Sequence, residues 1–129
     1  MTAFPLTSLA TIILVLFTFY LSAQVGMMRG KVLAPATSGD PEFEKAFRIH
    51  YNTIEHLVLF LPLLWLSAQF WGDVVSGCAA AVWLTGRMIY SRDYRADPTK
   101  RTTGMLITLF GLLAVLIGSI TPLVMLMFS

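Results

Sequence analysis

Residues 1–28 and 102–129 carry no charged side chain. Each run is longer than the roughly 20 apolar residues a helix needs to cross the hydrocarbon of a bilayer. A surface helix of a soluble protein shows water a charged face, and these two stretches have none to show. Composition closes the soluble route. Hydrophobic residues make up 57% and charged residues 12%, against about 45–50% and about 25% in an ordinary soluble domain. A chain of 129 residues is also too small to hide that much apolar surface, because small domains bury the smallest fraction of theirs. A soluble globule and a disordered chain are both excluded. One membrane domain covering residues 1–129 remains, and since open backbone cannot face lipid, its spans must be helices and its fold all-α.

The first span reads as residues 4–25. No Lys or Arg precedes it and it exceeds the apolar core of a signal peptide, so it reads as a permanent span. The second reads as 47–71, polar up to His56 and clean from Leu57. Gly72-Asp73 makes a tight turn into a third span, 74–94, with Arg87 near its end. Asp97-Pro98 reads as an N-cap followed by Pro at the first helical position, opening a fourth span over 98–121, where Pro122 should end it. Gly104, Gly111 and Gly118 recur every seven residues with Thr108 on the same face, a stripe suited to close helix packing inside a bundle. The single cysteine, Cys78, forms no intrachain disulfide and supports no Cys-based metal site, and its apolar setting predicts a buried side chain.

Fourteen of the 16 charges fall between Arg29 and Arg48 or between Arg87 and Arg101, with Glu55 and Asp73 apart. Counting helix ends, the two long connections hold all nine Lys and Arg and the short turn none. The excess of positive charge in cytoplasmic loops then predicts cytoplasmic long loops, with both termini on the opposite side.

The segment that enters the second span is the most informative. At 100° per residue Glu44, Arg48, Asn52 and Glu55 form a narrow stripe, bordered by Tyr51 and His56. His50 points nearly the other way. Polar groups at membrane depth face a bundle interior or a wet cavity, so two opposed polar faces predict a second subunit. Two histidines six residues apart on different faces, with no Cys in support, predict no metal site. A second group, Arg87, Tyr90 and Tyr94, shares one face of the third helix; by itself it reads equally as an aromatic and cationic belt at the membrane surface. Arg101 lies beside Lys100 in the first turn of the fourth helix, where the macrodipole disfavours cations. Two cations at a helix N-terminus make a place for an anion, and a thiolate is one that such surroundings stabilise. An anionic, polar cosubstrate would there meet a hydrophobic one arriving from lipid.

These residues carry a resemblance: Pro41-Glu42-Phe43-Glu44-Lys45-Ala46-Phe47-Arg48, then Asn52 and Glu55, then Arg87-x-x-Tyr90-x-x-x-Tyr94, then Lys100-Arg101-x-Thr103-Gly104. The ordered set resembles the MAPEG superfamily, membrane-associated proteins in eicosanoid and glutathione metabolism. It is most similar to the microsomal glutathione transferase and leukotriene-C synthase branch, over nearly the whole chain. The resemblance implies a left-handed four-helix bundle assembled as a homotrimer, with glutathione at each subunit interface. It implies that Arg48, Asn52, Glu55, Tyr90 and Tyr94 hold glutathione, that Arg29 and His50 reach in from the neighbouring subunit, and that Arg101 stabilises the thiolate. The subfamily pattern is mixed. The leukotriene branch tends to have paired Arg where this chain has Arg29-Gly30, and Gln where it has His50, whereas the step from Tyr94 to Arg101 follows that branch. No eicosanoid substrate is therefore named.

The implied function is a membrane glutathione transferase that joins the glutathione thiolate to hydrophobic electrophiles, with peroxidase activity on lipid hydroperoxides open to the same thiolate. Glutathione is the cosubstrate, no metal is called for, and the partners are the bilayer, an apolar electrophile and further copies of the chain, with no nucleic acid. Two alternatives stand. A non-catalytic lipid-binding scaffold on the same fold leaves Arg101 and both tyrosines without a role. A small multidrug transporter using Glu55 for protons leaves the loop motifs idle.

Overall fold

The computed structural model describes residues 3–30 and 32–129; Lys31, counted above among the loop cations, lies outside them. The described residues form four helices: α1 (Pro5–Met28), α2 (Pro41–Trp71), α3 (Asp73–Ala96) and α4 (Thr102–Met127), with a single 3-10 turn at Pro98–Lys100. No strand occurs among them. α1, α2 and the stretch Pro98–Met127 are long and apolar enough to cross a membrane. α3 is long enough, but Ser76, Gly77, Thr85, Gly86 and the charged Arg87 dilute its apolar run, so three helices meet that criterion where four were expected.

Helix boundaries follow local chemistry at some ends and distant partners at others. α2 begins at Pro41, a turn and a half before the expected residue 47. Extended Asp40 precedes Pro at the first helical position, and Glu42 and Glu44 occupy the first turn, where the macrodipole favours anions. α1 has no side-chain cap of its own at Phe4. Asp73 supplies one from the start of α3: its carboxylate accepts from the N–H groups of Leu6 (2.8 Å) and Thr7 (2.7 Å) and from the Thr7 hydroxyl (2.8 Å). Those backbone groups belong to the first turn of α1, whose N–H groups have no partner within the helix. Gly72, at φ +88°, turns the chain between α2 and α3 in a conformation that favours glycine.

Two expectations fail here. α4 does not stop at Thr121 but continues through Pro122 to Met127. Proline lacks the N–H that would bond the carbonyl four residues back, which is that of Gly118. The indole N–H of Trp71, at the end of α2, donates to that carbonyl at 2.8 Å and replaces the missing hydrogen bond. Cys78 is exposed, not buried. In a membrane protein the outer face of a helix is as apolar as its inner face, so an apolar setting does not distinguish them.

The core runs along the bundle axis. Leu14, Phe60, Leu64, Trp83, Leu112 and Val115 form its middle, with Phe60 and Trp83 stacked at 5.0 Å. α3 and α4 pack so closely that a Cβ on Gly104 would collide with the Tyr90 backbone and one on Gly86 with that of Thr108. Gly111 faces Trp83. Glycines seven apart on α4 thus receive aromatics seven apart on antiparallel α3, and the stripe is packing surface. At the loop end Leu21, Ile49 and Tyr90 form a smaller cluster.

Candidate functional site

Four α2 residues one helix face wide, Arg48, Tyr51, Asn52 and Glu55, line a polar cleft of about 430 Å3 together with Tyr90 and Tyr94 of α3 and Arg101. The three elements meet there for identifiable reasons. Gly104 admits the backbone of Tyr90, which brings the start of α4, and hence Arg101, to the tyrosine side of α3. Tyr90 and Tyr94 stack at 5.5 Å, fixing each other's ring planes. Asp97 sets the turn before Arg101: its carboxylate accepts from the Thr99 N–H at 3.0 Å and the Thr99 hydroxyl at 2.9 Å. Those bonds, the backbone N–H foremost, hold the Asp97 carboxyl below the usual carboxylate range. Arg101 caps α4 with helical backbone angles, so its cation stands at the positive end of the helix dipole.

Beneath the cleft lies Arg87, which is fully buried. Its Nη1 donates to Asn52 Oδ1 at 2.6 Å and its Nε to Thr108 Oγ1 at 3.0 Å, and its guanidinium sits 4.4 Å from the centre of the Tyr90 ring. Arginine has donors and no acceptor. Asn52 must therefore turn its oxygen inward to Arg87, which leaves the NH2 group as its face toward the cleft. Arg87 ties α2, α3 and α4 together under the site. Sequence reasoning placed it on the Tyr90 and Tyr94 face but gave it no role. A cation inside an apolar span, one turn before Tyr90, was the signal. By helical period Tyr51 borders the stripe, three residues after Arg48 and four before Glu55, and the structure makes it part of the lining.

Arg48, Asn52, Glu55, Tyr90, Tyr94 and Arg101 thus come together in one chain, and Arg29 and His50 do not join them. Arg29 Nη1 donates to the carbonyls of Val32 (3.4 Å) and Ala36 (3.0 Å), and its guanidinium lies 4.7 Å from the Phe43 ring centre, so it binds the first loop to the start of α2. His50 is half-buried on another face of α2. His56, at the border of the stripe, keeps a buried Nδ1 without a partner. Among the described residues no three His, Cys, Asp or Glu side chains converge. The side chains of Arg48, Glu55 and Arg101 form neither an ion pair nor a hydrogen bond among the described residues. Two guanidinium groups and one carboxylate stand open in the same cleft, a lining suited to a small ligand bearing carboxylates and an ammonium group.

The model of the MAPEG family matches residues 7–121. The chain belongs to that family. It is 34% identical to an uncharacterized protein of Synechocystis over 89% of this chain and 82% of the relative. It is 37% identical to human microsomal glutathione S-transferase 2 over 75% of this chain and 67% of the relative. With bovine leukotriene C4 synthase the identity is 33%, over 70% and 62%. Membership of this membrane family and the long apolar helices together make the chain an integral membrane protein.

Proposed function

We propose that this MAPEG chain is a membrane-bound glutathione S-transferase. The observation that carries the reading is the cleft in which the side chains of Arg48, Glu55 and Arg101 have no ion pair or hydrogen bond among the described residues, and the similarity to a microsomal glutathione S-transferase and a leukotriene C4 synthase supports it. Glutathione offers a carboxylate for Arg48, an ammonium for Glu55 and acceptors for the Asn52 amide. Its thiol loses a proton, and Arg101 together with the start of α4 favours the resulting thiolate. The thiolate sulfur attacks an electrophilic carbon of an apolar substrate from the bilayer. A carbon–sulfur bond forms, and the electron pair leaves with a displaced group or is protonated after addition to a strained ring or activated double bond. Holding both reactants together adds to the rate. With a hydroperoxide, the same thiolate and a second glutathione yield an alcohol, water and glutathione disulfide.

The reading includes a homotrimer in which Arg29 and His50 serve a neighbour's cleft. Its support is that both lie outside their own chain's cleft and that α2 is polar on two faces. All four helices span the bilayer in this reading, α3 shielding Arg87 from lipid, with the long loops cytoplasmic and the termini opposite. The test is conjugation of glutathione to a chromogenic aryl halide by the detergent-solubilised protein. Saturable turnover in glutathione supports the reading; a correctly assembled protein that neither binds nor conjugates glutathione contradicts it.

A further inference from the structure

α1 and α3 start at the same end of the molecule, where Asp73 joins them, and run in the same direction. Between them lies a groove that shares no residue with the cleft. Its first part, about 310 Å3, is apolar: Ile13 and Leu84 flank small residues of α3, including Gly77 and Ala81. One turn further the same two helices enclose a second hollow of about 390 Å3. There the apolar Phe17 and Met88 give way to Ser91, Arg92 and Arg95. Arg92 and Arg95 stand four and one residues before the end of α3 at Ala96, within about 6 Å of the helix end at 1.5 Å per residue. The groove is therefore apolar along its length and cationic at its mouth.

The mouth also holds polar groups without a hydrogen-bond partner among the described residues. Ser91 is 8% exposed, yet its buried Oγ has no hydrogen-bond partner, and neither has the buried Nε of Arg95. Both atoms can donate. Buried polar atoms are ordinarily matched, and an unmatched one costs the desolvation of the group. Arg92 Nε donates to Asp93 at 3.0 Å with the Arg92 side chain 75% exposed, using one of the five N–H donors of a guanidinium. Two arginines against Asp93 leave the mouth net positive. One turn after Tyr20, which lines this hollow, Gln24 donates to the Tyr20 hydroxyl and keeps a buried Oε1 without a hydrogen-bond partner among the described residues, an acceptor for a hydroxyl donor.

We propose that the α1–α3 groove binds one anionic phospholipid per chain. The phosphodiester, which has only acceptors, takes the donors of Ser91, Arg92 and Arg95; a headgroup hydroxyl faces Gln24; an acyl chain lies along the apolar part. The length of that apolar part selects a lipid over a soluble phosphate, and the two cations select an anionic lipid over a zwitterionic one. The site is independent of the glutathione reading.

The test is native mass spectrometry of the detergent-purified protein with dioleoyl phosphatidylglycerol, dioleoyl phosphatidylcholine and glycerol phosphate as probes. Phosphatidylglycerol is expected to remain bound, about one per chain, roughly tenfold more tightly than phosphatidylcholine, since each Lys or Arg near an anionic surface contributes measurably. The double variant Arg92→Gln, Arg95→Gln is expected to bind the two lipids alike, and glycerol phosphate is expected not to displace phosphatidylglycerol. Equal retention of both lipids by the natural protein, displacement by glycerol phosphate, or an undiminished preference in the variant would overturn the proposal. If the variant does not assemble, salt decides on the natural protein. Retention of phosphatidylglycerol that weakens as salt rises, with phosphatidylcholine unaffected, supports the site through screening, and salt-independent preference overturns it.

Discussion

The two ends of the bundle treat charge in opposite ways. At the short-turn end one carboxylate, Asp73, is satisfied within the chain by two backbone N–H groups and a hydroxyl. At the loop end Arg48, Glu55 and Arg101 line one cleft, their side chains without an ion pair or hydrogen bond among the described residues. A charge that closes contacts inside its own chain holds the fold. Charges gathered in a cleft without such contacts are available to a ligand. Arg87 stands between the two cases. It is bonded within the chain to Asn52 and Thr108, and through Asn52 it sets what the cleft presents.

Substitutions can break this contrast, beginning with the largest effect. Arg101→Ala should lower turnover by about 100-fold or more, the scale seen when a group aimed at developing charge is removed, while melting temperature and glutathione affinity stay near their original values. Equal losses of turnover and thermal stability would place Arg101 with the fold-holding charges. Arg87→Met should do both kinds of damage. It removes two charge-assisted hydrogen bonds, each of about 1.5–3 kcal/mol, and frees the Asn52 amide to rotate. A lower melting temperature together with a raised KM for glutathione is the expected pair, and a fall in stability with KM unchanged would confine Arg87 to the fold.

Arg48→Ala or Glu55→Ala should weaken glutathione binding about tenfold, the effect of losing one charge-assisted contact, with the melting temperature preserved. Calorimetry on variants of unchanged oligomeric state checks this. Asp73→Ala should show the reverse: an uncapped α1 and a lower melting temperature with unchanged glutathione affinity. The smallest effect belongs to Asp97. Its carboxyl titrates below the usual range because it accepts from Thr99, so its contribution to stability is complete above the unfolded carboxylate's pKa and is lost as pH falls through the folded value. Asp97→Asn should therefore lower stability slightly at neutral pH, flatten the acid limb of the profile and converge with the natural protein at low pH.

The distribution of charges along the chain already marked the helices, since 28 uncharged residues at each end can only be spans. The stripe of Arg48, Asn52 and Glu55 was legible for a related reason: helical period alone puts those side chains on one face. Three of the failures required a partner from a distant helix. Pro122 reads as a stop because the Trp71 N–H that satisfies Gly118 comes from another helix. Asp73 reads as a turn residue because the N–H groups it caps lie 66 and 67 residues away. Arg87 reads as a surface anchor until Thr108, 21 residues on, and Asn52 are brought to it. Cys78 reads as buried because in a membrane apolar surroundings do not separate inside from outside.

The central claim, that the open cations of the cleft serve a bound thiolate, is tested most directly by ultraviolet thiolate absorbance as a function of pH with glutathione bound, in the natural protein and in Arg101→Ala. A free thiol titrates near about 8.5. The account predicts thiolate formation below that value in the natural protein and a shift to higher pH in Arg101→Ala with glutathione still bound. Superimposable titrations, with full turnover in the variant, would contradict it.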